Sequence, residues 1–292
     1  MKQKYMIIDV RWCHNCNNCL MGCKDEYCEL DMSTGPVHSD WSDSDPQPRH
    51  GHRWIDVTRR ERGVYARNDI AYLPMPCQHC ENAPCIAAGN GAVVRREDGI
   101  VLIDKEKAKG NKALADSCPY GAIYYNEQYD VPQKCTMCAH LLDDKEGWPI
   151  GLPRCVHNCP SGALSFVECE PAEIEARIAS GELSAYKAEL GTKPHVLYKN
   201  LYRYTKNFVS AGVLVDGDCF ENATATIKGE GHEETQKTNF FGEFKFDALD
   251  DGKYTISIDA AGKKYETRRY ESGNVFLPSH DNKLKLPQMV IG

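Results

Sequence analysis

The chain has 292 residues, 41% of them hydrophobic, and a formal net charge of −7. That length suggests about two domains, and the acidic balance speaks against a general nucleic-acid binder, which carries a basic face. No apolar run approaches the ~18 residues of a membrane helix. The opening MKQKYMIIDVRWC has neither a signal-peptide core nor a twin-arginine pair, so the expected location is the cytoplasm, with no membrane contact.

Fifteen cysteines dominate the composition, fourteen of them before residue 170. A disulfide scaffold fits poorly, because the chain is long, the count is odd and no export signal is seen. In chain order the first run is CHNCNNCLMGC, with Cys13, Cys16, Cys19 and Cys23 spaced C-x2-C-x2-C-x3-C. STGPVHSDWSDSDPQPRHG (33–51) then reads as an exposed insertion loop. PCQHCENAPC supplies Cys77, Cys80 and Cys85, and SCPYGA supplies Cys118. KCTMCAH and RCVHNCPSGA supply Cys135, Cys138, Cys155 and Cys159.

Residues 171–190 carry helix formers with an acidic start, and Pro171 suits a first helical position. A connecting stretch follows to residue 207. Beyond it, AGVLVDG, ATATIKGEG, GEFKFDAL and GKYTISIDA are short runs bounded by Gly, Asp and Asn. Tyr254, Ile256 and Ile258 alternate with polar residues, the pattern of half-buried strands. Several such strands at close spacing predict a small antiparallel β-sandwich.

A cubane [4Fe–4S] cluster takes four thiolates. A C-x2-C-x2-C turn offers three, and the last cysteine of a ferredoxin run crosses to the other cluster, commonly with proline after it. Cys118 and Cys159 are both followed by Pro and then Gly-Ala one residue on, whereas Cys23 is followed by Lys24. Zinc is the alternative, but zinc ribbons use two separated C-x2-C pairs without a third cysteine two residues on. The histidines inside the runs, His14, His79, His140 and His157, are expected around clusters or on the surface rather than as ligands. RRERG (59–63) is expected to be a solvated charge run, Tyr120, Tyr124 and Tyr125 to pack near a cluster, and Trp54 and Trp148 to be core or interface.

These runs resemble the four-cluster iron–sulfur subunits that partner molybdopterin enzymes of the dimethyl sulfoxide reductase family. The resemblance implies an α+β fold: a double ferredoxin-like domain over 1–170 with an insertion loop at 31–50. A helix and connector over 171–207 and a transthyretin-like or carboxypeptidase-regulatory-like sandwich over 208–292 follow. Family members carry a fourth cysteine in the second group, where this chain has Gly89. They carry three more before CPYGA, where it has Ala108, Asn111 and Leu114. Those four losses are the ligand set of one cluster, and twelve cysteines remain for three. The implied sets are Cys13, Cys16, Cys19 and Cys159; Cys23, Cys135, Cys138 and Cys155; and Cys77, Cys80, Cys85 and Cys118. Cys28, Cys169 and Cys219 are left as ordinary cysteines.

The resemblance is closest to members with three clusters and an appended sandwich, through GHRWIDVTRRERG (51–63), QKCTMCAHLLDD (133–144), ELGTKPHVLYKNLYRY (189–204) and NFFGEFKFDALDDGKYT (239–255). It implies a heterodimer with a large catalytic subunit holding molybdenum on two pterin guanine dinucleotides. The implied chemistry is hydroxyl transfer between polyhydroxybenzenes such as pyrogallol and phloroglucinol. The chain itself shows no dinucleotide fingerprint, nucleophile elbow or open zinc set, so no catalytic residue is expected in it. The alternatives are an electron-transfer subunit of a phenolic hydroxylase, dehydroxylase or other molybdenum reductase, and a free polyferredoxin.

Overall fold

A computed structural model describes residues 1–27, 46–48, 50–64, 67–215, 218–229, 231–252, 254–260, 262–266 and 273–274. Cys28 and the greater part of the expected insertion loop lie outside them. The chain divides into two compact units, one of residues 1–58 and 72–201, the other of 59–71 and 202–292.

The first unit is built on a three-stranded sheet. Its middle strand, Gln3–Asp9, pairs antiparallel with Leu164–Cys169 and parallel with Val196–Lys199. The run YMII is apolar without alternation because both its faces are covered. Met6 and Ile8 are fully buried, and Tyr5 and Ile7 pack with Ile174, Leu183 and Leu197. Around this sheet lie two short hairpins, Val93–Arg95 with Val101–Ile103 and Ile123–Asn126 with Val131–Lys134, and short helices.

The helix expected over 171–190 is shorter, Pro171–Ala179. Its start is as read: Pro171 opens it, and Glu170 and Glu173 form a reciprocal capping box. It stops because Gly181 turns left-handed at φ 79° and Leu183 dives into the core, after which Ser184 pairs with Tyr198.

Among the described residues, the second unit holds two larger sheets besides the short pairing of Leu214–Val215 with Asp218–Cys219. One orders Glu243–Leu249, Asn207–Gly212 and Gly273–Asn274. The other orders His232–Lys237, Thr224–Gly229, Thr255–Ala260 and Lys263–Glu266. Apolar residues of both share one core, with Val209, Ala211, Phe244 and Phe246 from the first and Ala225, Ile227, Ile256 and Ile258 from the second. The RRERG run does not form a wholly solvated face. It lies in strand Ile55–Val64, and the Arg62 side chain is 2% exposed between Asp69 and Asp247. Arg60 donates to the carbonyls of Tyr204 (2.8 Å) and Lys206 (3.2 Å). In a strand every second side chain turns inward, and an inward arginine is tolerated once carboxylates and carbonyls use its donors.

Candidate metal centre

The first cysteine run is a coil that becomes the helix Asn18–Tyr27. Asn15 and Asn17 stand left-handed at φ 57° and 61°, a conformation asparagine tolerates better than most residues, and the coil thereby folds tightly between the cysteines. Burial raises the Cys19 thiol to about 12, against a hydrogen bond from the Leu20 amide, and the sulfurs of Cys13, Cys159 and Cys16 add to it. Burial raises Cys13 likewise, with Cys159 and Cys16 contributing. The four residues of the first expected set are therefore within electrostatic reach of one another. Cys16 is exposed, and Cys13 and Cys159 are half-buried. Trp12 and Met21 beside them are 53% and 64% exposed.

The second set is wholly buried. Cys23, Cys135, Cys138 and Cys155 line one small cavity together with Tyr27, Trp54, Ile55, Thr136, Met137 and Pro153. Met137 and Cys138 are left-handed at φ 56° and 51°, which turns the Met137 amide onto Cys135 Sγ at 3.3 Å. Burial raises Cys138 to about 12, and Cys135 to about 11. The walls are fixed by hydrogen bonds: Tyr27 OH to Thr136 Oγ1 at 2.5 Å, and His140 Nε2 to Glu26 at 2.7 Å. Gln47 donates through Nε2 to the Cys23 carbonyl at 3.1 Å and stands 3.5 Å from Cys23 Sγ. At 1% exposure, Gln47 corrects the reading of 33–51 as exposed loop at that point.

The third set, Cys77, Cys80, Cys85 and Cys118, lines a second small cavity with His79, Val101, Tyr120, Ile123 and Lys134 among its walls. Burial raises Cys80 to about 12 and Cys85 to about 11. The Ala122 amide reaches Cys118 Sγ at 3.4 Å. Lys134 is buried and donates through Nζ to the carbonyls of Val101 and Cys135, the latter at 3.1 Å. His79 is fully buried, and its Nδ1 accepts the Val101 amide at 3.0 Å.

The sets follow one another in space. Burial raises Cys155 well above the thiol range, with Cys138, Cys135, Cys23 and then Cys19 of the first set adding to it. Cys135 is raised by burial and then by Cys77 of the third set, whose backbone amide also reaches it. The second set thus neighbours both of the others. At two of the positions where the resemblance implies a fourth set, the chain has packing: Ala108 and Leu114 are fully buried, and Leu114 joins Cys85, Val93, Val101 and Ile123 in one cluster. A Cβ at Gly89 would meet Val93 Cγ2 at 2.6 Å. Cys169 is half-buried in an edge strand of the first unit, and Cys219 is exposed in the second.

Among the described residues, no three Cys, His, Asp or Glu side chains converge as they would on a single ion. The thiols of the second set instead line one common cavity, and those of the third set another. Buried thiols with raised pKa values are poor ions by themselves, and a group that withdraws their protons and shares their charge suits them. The donor set therefore fits iron–sulfur clusters. Sequence reasoning missed Gln47, Tyr27 and Lys134. The only signal was position: Tyr27 stands four residues after Cys23, and Lys134 stands next to Cys135.

These features define an iron–sulfur protein, and the family model for the 4Fe-4S dicluster domain matches residues 68–169. The chain is 57% identical to the pyrogallol hydroxytransferase small subunit of Pelobacter acidigallici, over 91% of this chain and 93% of that one. It is 33% identical to a sulfite dehydrogenase subunit of Allochromatium vinosum (66% and 81%) and 30% identical to a tetrathionate reductase subunit of Salmonella typhimurium (67% and 72%). The chain belongs to the family of the pyrogallol hydroxytransferase small subunit, among the iron–sulfur subunits of dimethyl sulfoxide reductase-type molybdenum enzymes. It is a non-catalytic, electron-transferring subunit of an enzyme complex. Among the described residues no helix is long and apolar enough to cross a membrane.

Proposed function

We propose that this chain carries three [4Fe–4S] clusters, one on each cysteine set, and serves a large molybdopterin subunit that transfers hydroxyl groups between polyhydroxylated aromatics such as pyrogallol and phloroglucinol. The observation that carries the reading is the enclosure of Cys23, Cys135, Cys138 and Cys155, and of Cys77, Cys80, Cys85 and Cys118, each around one cavity. Each cluster, when bound, supplies a one-electron site whose potential follows burial, charge and hydrogen bonds to sulfur. The chain's own part is to hold the three sets in sequence, to exclude water from the second and third, and to aim amides such as those of Met137 and Ala122 at sulfur.

The first set, with Cys16 exposed beside Trp12 and Met21, is the end that faces the catalytic subunit. The partner holds molybdenum on two pterin guanine dinucleotides, the pair works in the cytoplasm, and the two ferredoxin-like halves arose with a fourth site that packing has since filled. The two sheets of the second unit form a β-sandwich, supported by their single shared core. An electron-transfer subunit of a phenolic hydroxylase or dehydroxylase is the second reading, favoured by the similarity to subunits of reductases and dehydrogenases.

Metal analysis of the anaerobically purified complex tests the proposal. The expected result is about twelve iron and as many acid-labile sulfides per copy of this chain, with molybdenum in the partner and hydroxyl transfer that needs no external acceptor. Zinc in place of iron overturns the cluster reading, about sixteen iron in this chain overturns the count of three, and turnover that depends on an acceptor favours the second reading.

A further inference from the structure

We propose that His79 donates a hydrogen bond from Nε2–H to a sulfur of the cluster held by Cys77, Cys80, Cys85 and Cys118, and so raises that cluster's reduction potential. The inference rests on the three-cluster reading and adds to it a residue that sets one potential.

The ring's Nδ1 accepts the backbone amide of Val101 at 3.0 Å, inside the protein, so Nδ1 carries no hydrogen. A histidine with Nδ1 as acceptor bears its proton on Nε2. That atom has no hydrogen-bond partner among the described residues, although His79 is 0% exposed. A buried donor left unpaired is costly, so such groups mark a missing partner. His79 lines the cavity enclosed by the third cysteine set.

The backbone supports the same placement. His79 lies between Cys77 and Cys80 and stands left-handed at φ 45°, a conformation that non-glycine residues adopt at a cost. The cost secures the ring's position between two ligand positions. Val101 fixes the arrangement from the other side: its amide holds His79, and its carbonyl accepts from Lys134, which lines the same cavity. Lys134 spends donors on the Val101 and Cys135 carbonyls, whereas the imidazole N–H of His79 is unspent.

The sign follows from charge. Reduction adds an electron to the cluster and its sulfurs, so a donor aimed at sulfur stabilises the reduced form more than the oxidised form.

Two substitutions separate the roles of the ring. His79→Asn keeps an acceptor near the place of Nδ1 for the Val101 amide and leaves no donor at the place of Nε2, its own amide group ending short of it. His79→Gln sets an amide donor near the place of Nε2. In the purified complex, an EPR-monitored redox titration of His79→Asn is expected to show one cluster whose reduction constant falls about tenfold, which is 59 mV for a one-electron couple. The other two clusters are expected to stay put, iron to remain full, and His79→Gln to recover part of the shift.

The unsubstituted complex, labelled with 15N-histidine, gives a test that no folding defect can blur. Pulsed EPR of the reduced protein is expected to show a nitrogen coupling at one cluster. No such coupling, or unchanged potentials in His79→Asn at full iron content, overturns the proposal while leaving the cluster reading intact. Absence of iron–sulfur signals from the unsubstituted complex overturns the reading beneath it.

Discussion

At the scale of single residues, the second unit concentrates its charge on Asp69. Its carboxylate takes hydrogen bonds from Arg62, from Arg203 at 2.9 Å and from Lys245 at 3.0 Å. Burial alone would raise this carboxyl, but the bonds from Arg62 and Lys245 outweigh it and hold the pKa at about 2. The unfolded value is near 3.9. A carboxyl depressed in the folded state contributes stability that is complete above the unfolded value and lost as pH falls toward the folded one. The window is therefore from about pH 4 down to about pH 2, and the contribution is on the order of 2 kcal/mol. Asp69→Asn is expected to remove it and to flatten the acid limb, read as amide hydrogen exchange of the Glu243–Leu249 strand in the full chain from about pH 5 down to about pH 2. An acid limb that stays as steep in the variant would place the titration elsewhere. None of this was legible in the sequence. RRERG looks like a solvated run because the carboxylates that turn it inward lie several residues away at Asp69 and much farther at Asp247. Gln47 was hidden likewise, since an insertion loop's sequence says nothing about which distant sulfur one of its side-chain amides will reach.

At the scale of elements, the cysteine spacings carried most of the information. Tight C-x2-C spacing forces turns, and Asn15, Asn17, His79, Met137 and Cys138 supply the left-handed residues those turns need. The strands Thr224–Gly229, Glu243–Leu249 and Thr255–Ala260 were legible because one face of each is buried, as Ile256 and Ile258 show, whereas His232–Lys237, with no buried residue, was not read. The end of the helix at Ala179 was harder to see, because helix propensity continues through GELSAYKAEL while Leu183 answers to the core. The segment 104–122 is the most telling case. Sequence offers there only the absence of cysteines that the resemblance led one to expect, whereas the structure shows Leu114 packed against Val93, Val101 and Ile123. Leu114→Ala is expected to cost about 3 kcal/mol, as buried leucines do, seen as a lower denaturation midpoint of the full chain at unchanged iron content. A loss well below about 1 kcal/mol would mean that the segment is not held by this packing.

At the scale of the whole molecule, the two units are stabilised by different physics. In the first, each cysteine set joins distant stretches: the opening coil to Cys159, Cys23 to Cys135–Cys155, and Cys77–Cys85 to Cys118. Its elements are short, many helices having four or five residues, and helices of that length do not persist alone. In the second, thirteen buried residues form a continuous apolar core between two sheets, and the one cysteine there is exposed. Metal bound only in the folded state adds its binding free energy to folding, so iron supports the first unit and leaves the second to its core. Anaerobic chelation of the full chain is therefore expected to abolish hydrogen-exchange protection in Pro84–Ala88, Ala139–Asp143 and Arg154–His157. Protection in Thr224–Gly229 and Thr255–Ala260 should persist. Equal loss in both units would show that the sheets after residue 207 depend on the clusters, and retained protection in the short helices would show that cysteine packing alone holds them.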